Sequence, residues 1–196
     1  PDSALADRGD GKSDNYELLR HLNDFVHQDD PTRKTGFVIG NADYASKLQA
    51  MSIPDVIGYN LYCGWYGGKF EDFTPRVSKL HAMNPDKPFF VTEFGAGSAP
   101  HIHSENPQRF DFSEEYQVAF LESHLRQMAA LPWLCGVNWW CFNDFGVASR
   151  NDSVPHVNDK GLVTFSREPK DAFYAMKSQW SQEPVLRILS SNWTER

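Results

Sequence analysis

The sequence predicts an α/β fold in which buried parallel strands alternate with helices, as in half of an eight-unit (β/α)8 barrel. Three observations predict it. Four short runs are apolar without alternating, helical patterns separate them, and polar and aromatic residues gather at the carboxyl ends of the runs. A strand covered on both faces reads as a continuous apolar run because each side-chain direction meets a packed layer. A parallel βα barrel builds its site from the loops after its strands, which favours a barrel over an open sheet.

Asp14 and Glu17 form a capping-box pattern, and Leu18, Leu19, Leu22, Phe25 and Val26 follow at helical spacing, so a helix is expected over about 14–28, ending at Pro31. Gly36-Phe37-Val38-Ile39-Gly40 is the first strand and Asp55 to Tyr62 the second. Phe73, Val77 and Leu80 mark a helix before the third strand, Pro88 to Glu93. Ser113-Glu114-Glu115 opens another helix, carrying Phe120, Leu121, Leu125 and Met128, with acidic groups where the helix dipole favours them. The fourth strand is Leu134 to Trp140, followed by a helix through Phe173, Lys177 and Trp180. Residues 1–182 are therefore expected to form one domain portion, and 183–196 a linker and the start of a following β-strand or domain at Val185 to Leu189.

The 196 residues carry 19 basic and 26 acidic side chains, a net charge of −7, which disfavours nucleic-acid and anionic-membrane partners. No apolar run approaches the roughly 20 residues of a membrane span. Cys63, Cys135 and Cys141 have neither the number nor the spacing of a disulfide framework or zinc site. His101 and His103 lack accompanying ligands, so no metal or cofactor is expected. A soluble protein is expected; the compartment, cytoplasmic, periplasmic or secreted, is left open.

Glu93 stands where a buried strand meets Phe94-Gly95-Ala96-Gly97, and a carboxylate beside such an apolar run needs a partner or a task. The small residues leave room for a ring. Asn60 and Tyr62, from the preceding strand, are groups that hydrogen-bond a carboxylate and a sugar hydroxyl. Trp140, ending the next strand, offers a flat apolar face to a pyranose. Together they describe a sugar pocket.

Val91-Thr92-Glu93-Phe94-Gly95-Ala96 resembles the nucleophile motif of glycoside hydrolase family 2, the β-galactosidase and β-glucuronidase family, and Asn60-Leu61-Tyr62-Cys63-Gly64-Trp65-Tyr66-Gly67-Gly68 resembles its sixth-strand motif. The loop from His103 into Ser113-Glu114-Glu115-Tyr116-Gln117, the stretch Trp140 to Phe145, and Asn158-Asp159-Lys160-Gly161-Leu162-Val163 are similar to later motifs of that family, in the same order. The resemblance implies approximately strands 5 to 8 of the barrel and a retaining mechanism with two carboxylates about 5–5.5 Å apart. It implies Glu93 as nucleophile, Tyr62 as the group that orients it, and Asn60, Trp65, His103, Trp140, Asn158 and Lys160 as substrate contacts. The family's acid/base is the Glu of an Asn-Glu pair, and this sequence contains no Asn-Glu. The expectation is that the pair lay just before Pro1, so that the rest of the barrel and flanking β domains complete the protein. Thr92 and Phe94 stand where Ser and Tyr are more frequent, and Leu61 and Cys63 where relatives often place Arg or Tyr.

The resemblance leaves the sugar open. The stretch Arg150 to His156 looks more like galactoside-cleaving relatives, which favours a terminal β-galactoside; the Asn158-x-Lys160 pattern, used by similar enzymes for a glucuronide carboxylate, keeps a β-glucuronide in play. Lys160 as a solvated loop lysine is an equal expectation. A β-mannosidase-like relative and a non-catalytic sugar-binding barrel piece are the other readings. The isolated chain is expected to be inactive and, through exposed strand edges, to pair with another copy.

Overall fold

The computed structural model describes residues 16–40, 49–151 and 154–186. They fall into two compact units: one formed by the chain up to Leu61 with Phe73–Phe94 and Leu131–Asn138, the other by Tyr62–Asp72, Gly95–Ala130 and the chain from Trp139 onward.

The first unit begins with α1 (Tyr16–Asp29) and continues through β1 (Gly36–Ile39), a 3-10 turn at Gln49–Ser52, β2 (Val56–Asn60), α2 (Phe73–His81) and β3 (Phe89–Phe94). With β4 (Leu134–Trp139), the strands form one sheet in the order β1-β2-β3-β4. β1 runs parallel to β2 and β2 to β3, as the continuous apolar runs imply. The expected cap residue Asp14 lies outside the described residues.

One face of the sheet is closed. Ile57, Tyr59, Phe89 and Val91 are buried with Phe73, Val77 and Leu80 of α2, and each large side chain so buried contributes about 1.5–3 kcal/mol. Tyr59 stacks on Phe89 at 5.1 Å, and His81 lies flat on Trp133 at 4.0 Å. Burial pushes the Tyr59 hydroxyl up to about 12. The expectation of cover on both faces fails here: Val38 is exposed and Phe90 and Thr92 are only half-buried. Closed parallel barrels fill that face with side chains from further strands, and the described residues supply four. α1 likewise docks by its polar edge, through Asn23 to Thr35 (2.6 Å) and His27 to Asp55 (2.9 Å), while Leu18, Leu22, Phe25 and Val26 stand exposed.

The second unit is built on α3 (Glu114–Ala129) and α4 (Asp171–Trp180), with an antiparallel hairpin of β5 (Phe145–Asn151) and β6 (Pro155–Asn158). Ser113 caps α3, its hydroxyl accepting from Tyr116 N at 3.1 Å, a contact worth about 1 kcal/mol. Glu114, in the same first turn, accepts from Asp171 N at 2.7 Å and so places a carboxylate at the start of α4. Gln117 ties α3 to the loops, accepting from Ser98 Oγ and donating to Ala96 O and Gly161 O. The hairpin was not foreseen; its first strand is polar and largely exposed, without an apolar run. The strand expected over Val185 to Leu189 extends outside the described residues.

His124 sits fully buried on α3, stacked on Phe120 at 3.9 Å with Nδ1 2.8 Å from Phe120 O. Burial depresses its pKa to about 4, against the pull of the carbonyls of Phe120 and Cys63. The unfolded chain therefore binds this proton more readily between about pH 6.5 and 4, and stability is lost as pH falls through that window. The full effect is on the order of 3 kcal/mol. Thermal midpoints measured from pH 7 to pH 4 should fall more steeply for wild type than for His124→Phe; parallel curves would refute the assignment.

Candidate active site

The edge where β2 and β3 end carries two of the expected residues, Asn60 and Glu93. Tyr59 pairs with Val91, but Asn60 pairs with Glu93, so Thr92 is an extra residue on β3. A bulge of this kind twists a strand locally and re-aims the next side chain. Phe89 and Val91 alternate into the core, then Thr92 and Glu93 are both half-buried before Phe94 returns inside. The bulge thus brings Glu93 out of the core face of the sheet. Thr92 Oγ1 donates to Asn60 Oδ1 at 2.8 Å, leaving the amide nitrogen as the group Asn60 presents as a donor. Glu93 O accepts from Leu61 N at 2.7 Å, fixing the two strand ends together.

The second unit carries the other expected residues. Trp65 follows Tyr62 through a tight turn, donating its backbone N–H to Tyr62 O at 2.9 Å, while Gly64 adopts φ +86°. A side chain at Gly64 would also strike the Phe70 ring. Trp65 is only 1 % exposed and is enclosed edge-on by Phe110 (4.9 Å) and Phe112 (5.4 Å). It is a wall of this unit's interior. Tyr62 and Tyr66 lie 5.0 Å apart, and Tyr66 is exposed.

Lys160 is the least expected of these residues. The reading of it as a solvated loop lysine is corrected: the side chain is 0 % exposed. Its ammonium lies 5.4 Å from the Trp65 ring and 5.1 Å from the Tyr66 ring, and no hydrogen-bond acceptor meets it among the described residues. Two aromatic faces give a cation about 1–2 kcal/mol each when desolvated. That falls short of the several kcal/mol lost on burying an ion without an acceptor. The backbone around it is pinned: Lys160 O accepts from Trp139 Nε1 (2.9 Å) and Cys141 N (3.2 Å), and Lys160 N donates to buried Asn158 Oδ1 (3.2 Å).

His103 pairs with Glu115 of α3 at 2.8 Å, and Ser104 N donates to the other carboxylate oxygen at 3.0 Å. Burial raises the Glu115 carboxyl, but its own backbone N–H, His103 and Ser104 outweigh that and hold it below the usual carboxylate range. Glu115 thereby fixes the His103 loop. Trp140, just past β4, is 37 % exposed and meets Phe145 edge-on at 6.0 Å. The structure therefore brings Asn60 and Glu93 together in one unit, and Trp65, Asn158 and Lys160 together in the other, with Tyr62 beside Tyr66. Two residues of this environment lie in stretches noted in the sequence but were not taken as candidate site residues: Tyr66, and Arg150, whose guanidinium donates to the Tyr66 hydroxyl at 2.9 Å. Their signal was present in the Trp-Tyr pair, but contact across 84 positions is invisible in one dimension. Among the described residues no cluster of His, Cys, Asp and Glu suits a metal ion.

Residues 12–184 match the model of glycosyl hydrolases family 2, TIM barrel domain. The chain belongs to glycosyl hydrolase family 2. Among its relatives in that family, a putative β-glucuronidase of Formosa agariphila is 32% identical over 216 residues, covering 97% of this chain and 25% of that protein. A β-galactosidase of Bacteroides ovatus is 24% identical over 97% of this chain and 24% of its own length. Among solved structures, Bacteroides uniformis β-glucuronidase 2 covalently bound to cyclophellitol-6-carboxylate aziridine superposes with a TM-score of 0.82, at 38% identity, over 91% of this chain and 21% of that one. The chain thus spans about a quarter of the length of the curated relatives it matches. The family 2 barrel explains the parallel sheet and the helices between its strands.

Gly97 tests how closely the Lys160 loop is packed. A Cβ there would meet Asp159 Oδ1 at 2.3 Å and Trp65 Cζ2 at 3.1 Å, whereas one at Gly67 would meet nothing within 4 Å. Gly97→Ala should lower stability by about 1–3 kcal/mol in denaturant titration, while Gly67→Ala should change it by less than about 1 kcal/mol. Equal effects would contradict this packing.

Proposed function

We propose that this chain is the nucleophile-bearing part of a retaining β-glycosidase that removes terminal β-glucuronides. The observation that carries the substrate class is the Lys160 ammonium, set against two aromatic rings with no acceptor among the described residues. A desolvated cation in that state is costly, and an arriving carboxylate supplies both counter-charge and acceptor. A uronic acid brings one on its C5 side; a galactoside brings a neutral hydroxymethyl. In this reading the ligand approaches past Tyr66, the exposed ring of the pair. The stretch from Arg150 to His156 leaned toward a galactoside; the burial of Lys160 shifts the balance to a uronide, in keeping with the β-glucuronidases among the relatives.

In this reading the Glu93 carboxylate attacks the anomeric carbon and forms a covalent glycosyl-enzyme, while a protonated carboxylic acid from another part of the protein gives its proton to the leaving oxygen. The same group then takes a proton from the water that releases the sugar. The family resemblance assigns Tyr62 to orienting the nucleophile, where a hydroxyl donor stabilises the charged form, and Asn60 to a sugar hydroxyl. Trp140 offers an apolar face to the pyranose, and His103, fixed by Glu115, lines the loop.

Hydrolysis of 4-nitrophenyl β-glucuronide, β-galactoside and β-mannoside by the full-length protein tests this. Wild type should prefer the glucuronide, and Glu93→Gln should cut kcat by about a thousandfold or more without unfolding the protein. Lys160→Met should raise KM for the glucuronide roughly 10- to 150-fold, the equivalent of a charge-assisted contact of about 1.5–3 kcal/mol. Preference for the galactoside, with an indifferent Lys160→Met, would replace this reading with a β-galactosidase.

A further inference from the structure

Lys170 and Asp144 belong to neither the nucleophile strand nor the aromatic cage, yet both are buried, at 2 % and 4 % exposure. Lys170 Nζ spends all three of its donors: on Asp144 Oδ1 at 2.9 Å, Ser98 O at 2.8 Å and Asp159 O at 3.0 Å. Asp144 Oδ1 also accepts from Gly161 N at 2.8 Å. The backbone repeats the tie: Lys170 N donates to Leu162 O at 3.0 Å, and Ser98 N to Asp159 O at 3.0 Å. Burial pushes the Asp144 carboxyl above the usual carboxylate range, with Lys170 and Gly161 N pulling it back.

These contacts bracket one residue. Asp159 is held from one side by Lys170 and Gly161 from the other by Asp144, and Lys160 lies between them. Space is equally tight: a Cβ at Gly161 would fall 2.3 Å from Asp144 N. The Lys160 ammonium donates to no acceptor among the described residues, so its direction is set where its backbone is clamped.

We propose that Lys170, with Asp144, is a positioning pair that aims the Lys160 ammonium at the substrate's carboxylate, and so sets specificity for uronides without touching the sugar. The inference rests on the glucuronide reading above. A purely structural role would lower stability and the amount of active enzyme, but would leave KM unchanged in the folded fraction. A positioning role moves KM, and does so only through Lys160.

Steady-state kinetics on 4-nitrophenyl β-glucuronide with the full-length protein separate the two. Lys170→Met is expected to raise KM about tenfold with kcat changed less than about threefold, and Lys160→Met/Lys170→Met should match Lys160→Met within about twofold. Because Lys170→Met leaves a buried unpaired carboxylate, it is the variant at risk of misfolding. Asp144→Asn/Lys170→Met removes both charges and keeps an oxygen acceptor for Gly161 N, and the same rise in KM is expected of it. An unchanged KM in that double variant, or equal added losses with and without Lys160, overturns the proposal while leaving the glucuronide reading intact. A wild type that does not cleave the glucuronide sinks the substrate reading itself, and the inference with it.

Discussion

The ion pair between Lys170 and Asp144 is the contact on which the second unit's loops depend. A buried ammonium is tolerated when each of its donors finds an acceptor, and Lys170 finds a carboxylate and two carbonyls from three separate segments. Ten residues earlier another lysine is buried with no hydrogen-bond acceptor for its ammonium among the described residues. One unit thus holds two lysines at opposite ends of the energetic scale. The satisfied one secures the backbone; the other is the one proposed to await an anionic ligand. A fold gains nothing from an unmatched interior charge, which is why the proposed reading assigns this one to a partner that arrives from outside.

A different local device serves the first unit. The parallel pairing of β1, β2 and β3 sends their carboxyl ends to one edge of the sheet. Strict alternation, continued from Phe89 and Val91, would carry Glu93 into the core and spend the charge there. The extra residue at Thr92 breaks the alternation, and the hydrogen bond from its hydroxyl to Asn60 fastens the irregularity to the neighbouring strand. A single inserted position therefore separates a buried structural acid from a half-buried group suited to the proposed nucleophilic role.

Much of this was legible in the sequence because it rests on local pattern. The runs around Phe37, Ile57, Phe90 and Val137 are apolar enough to announce strands, and Ser113-Glu114-Glu115 announces a helix start that the structure realises through the Ser113 hydroxyl. The motif at Glu93 and the order of its companions pointed to glycosyl hydrolase family 2, to which the chain belongs. What stayed hidden is relational. The bulge at Thr92 has no signature apart from its pairing with Asn60. The hairpin of β5 and β6 is polar, with Ser149, Arg150 and Asn151 in place of an apolar run. Burial of Lys160 depends on Trp65 and Tyr66, about 95 positions away, and a lysine in a loop reads as solvated until those rings are placed over it.

The most direct measurement is peptide mass spectrometry on the full-length protein after reaction with cyclophellitol-6-carboxylate aziridine, the carboxylate-bearing compound bound covalently in the Bacteroides uniformis enzyme. A covalent adduct on Glu93, lost in Glu93→Gln and slowed in Lys160→Met, is the expected result. Labelling of a different carboxylate, or no labelling while a galactose-configured analogue reacts at Glu93, would contradict the account.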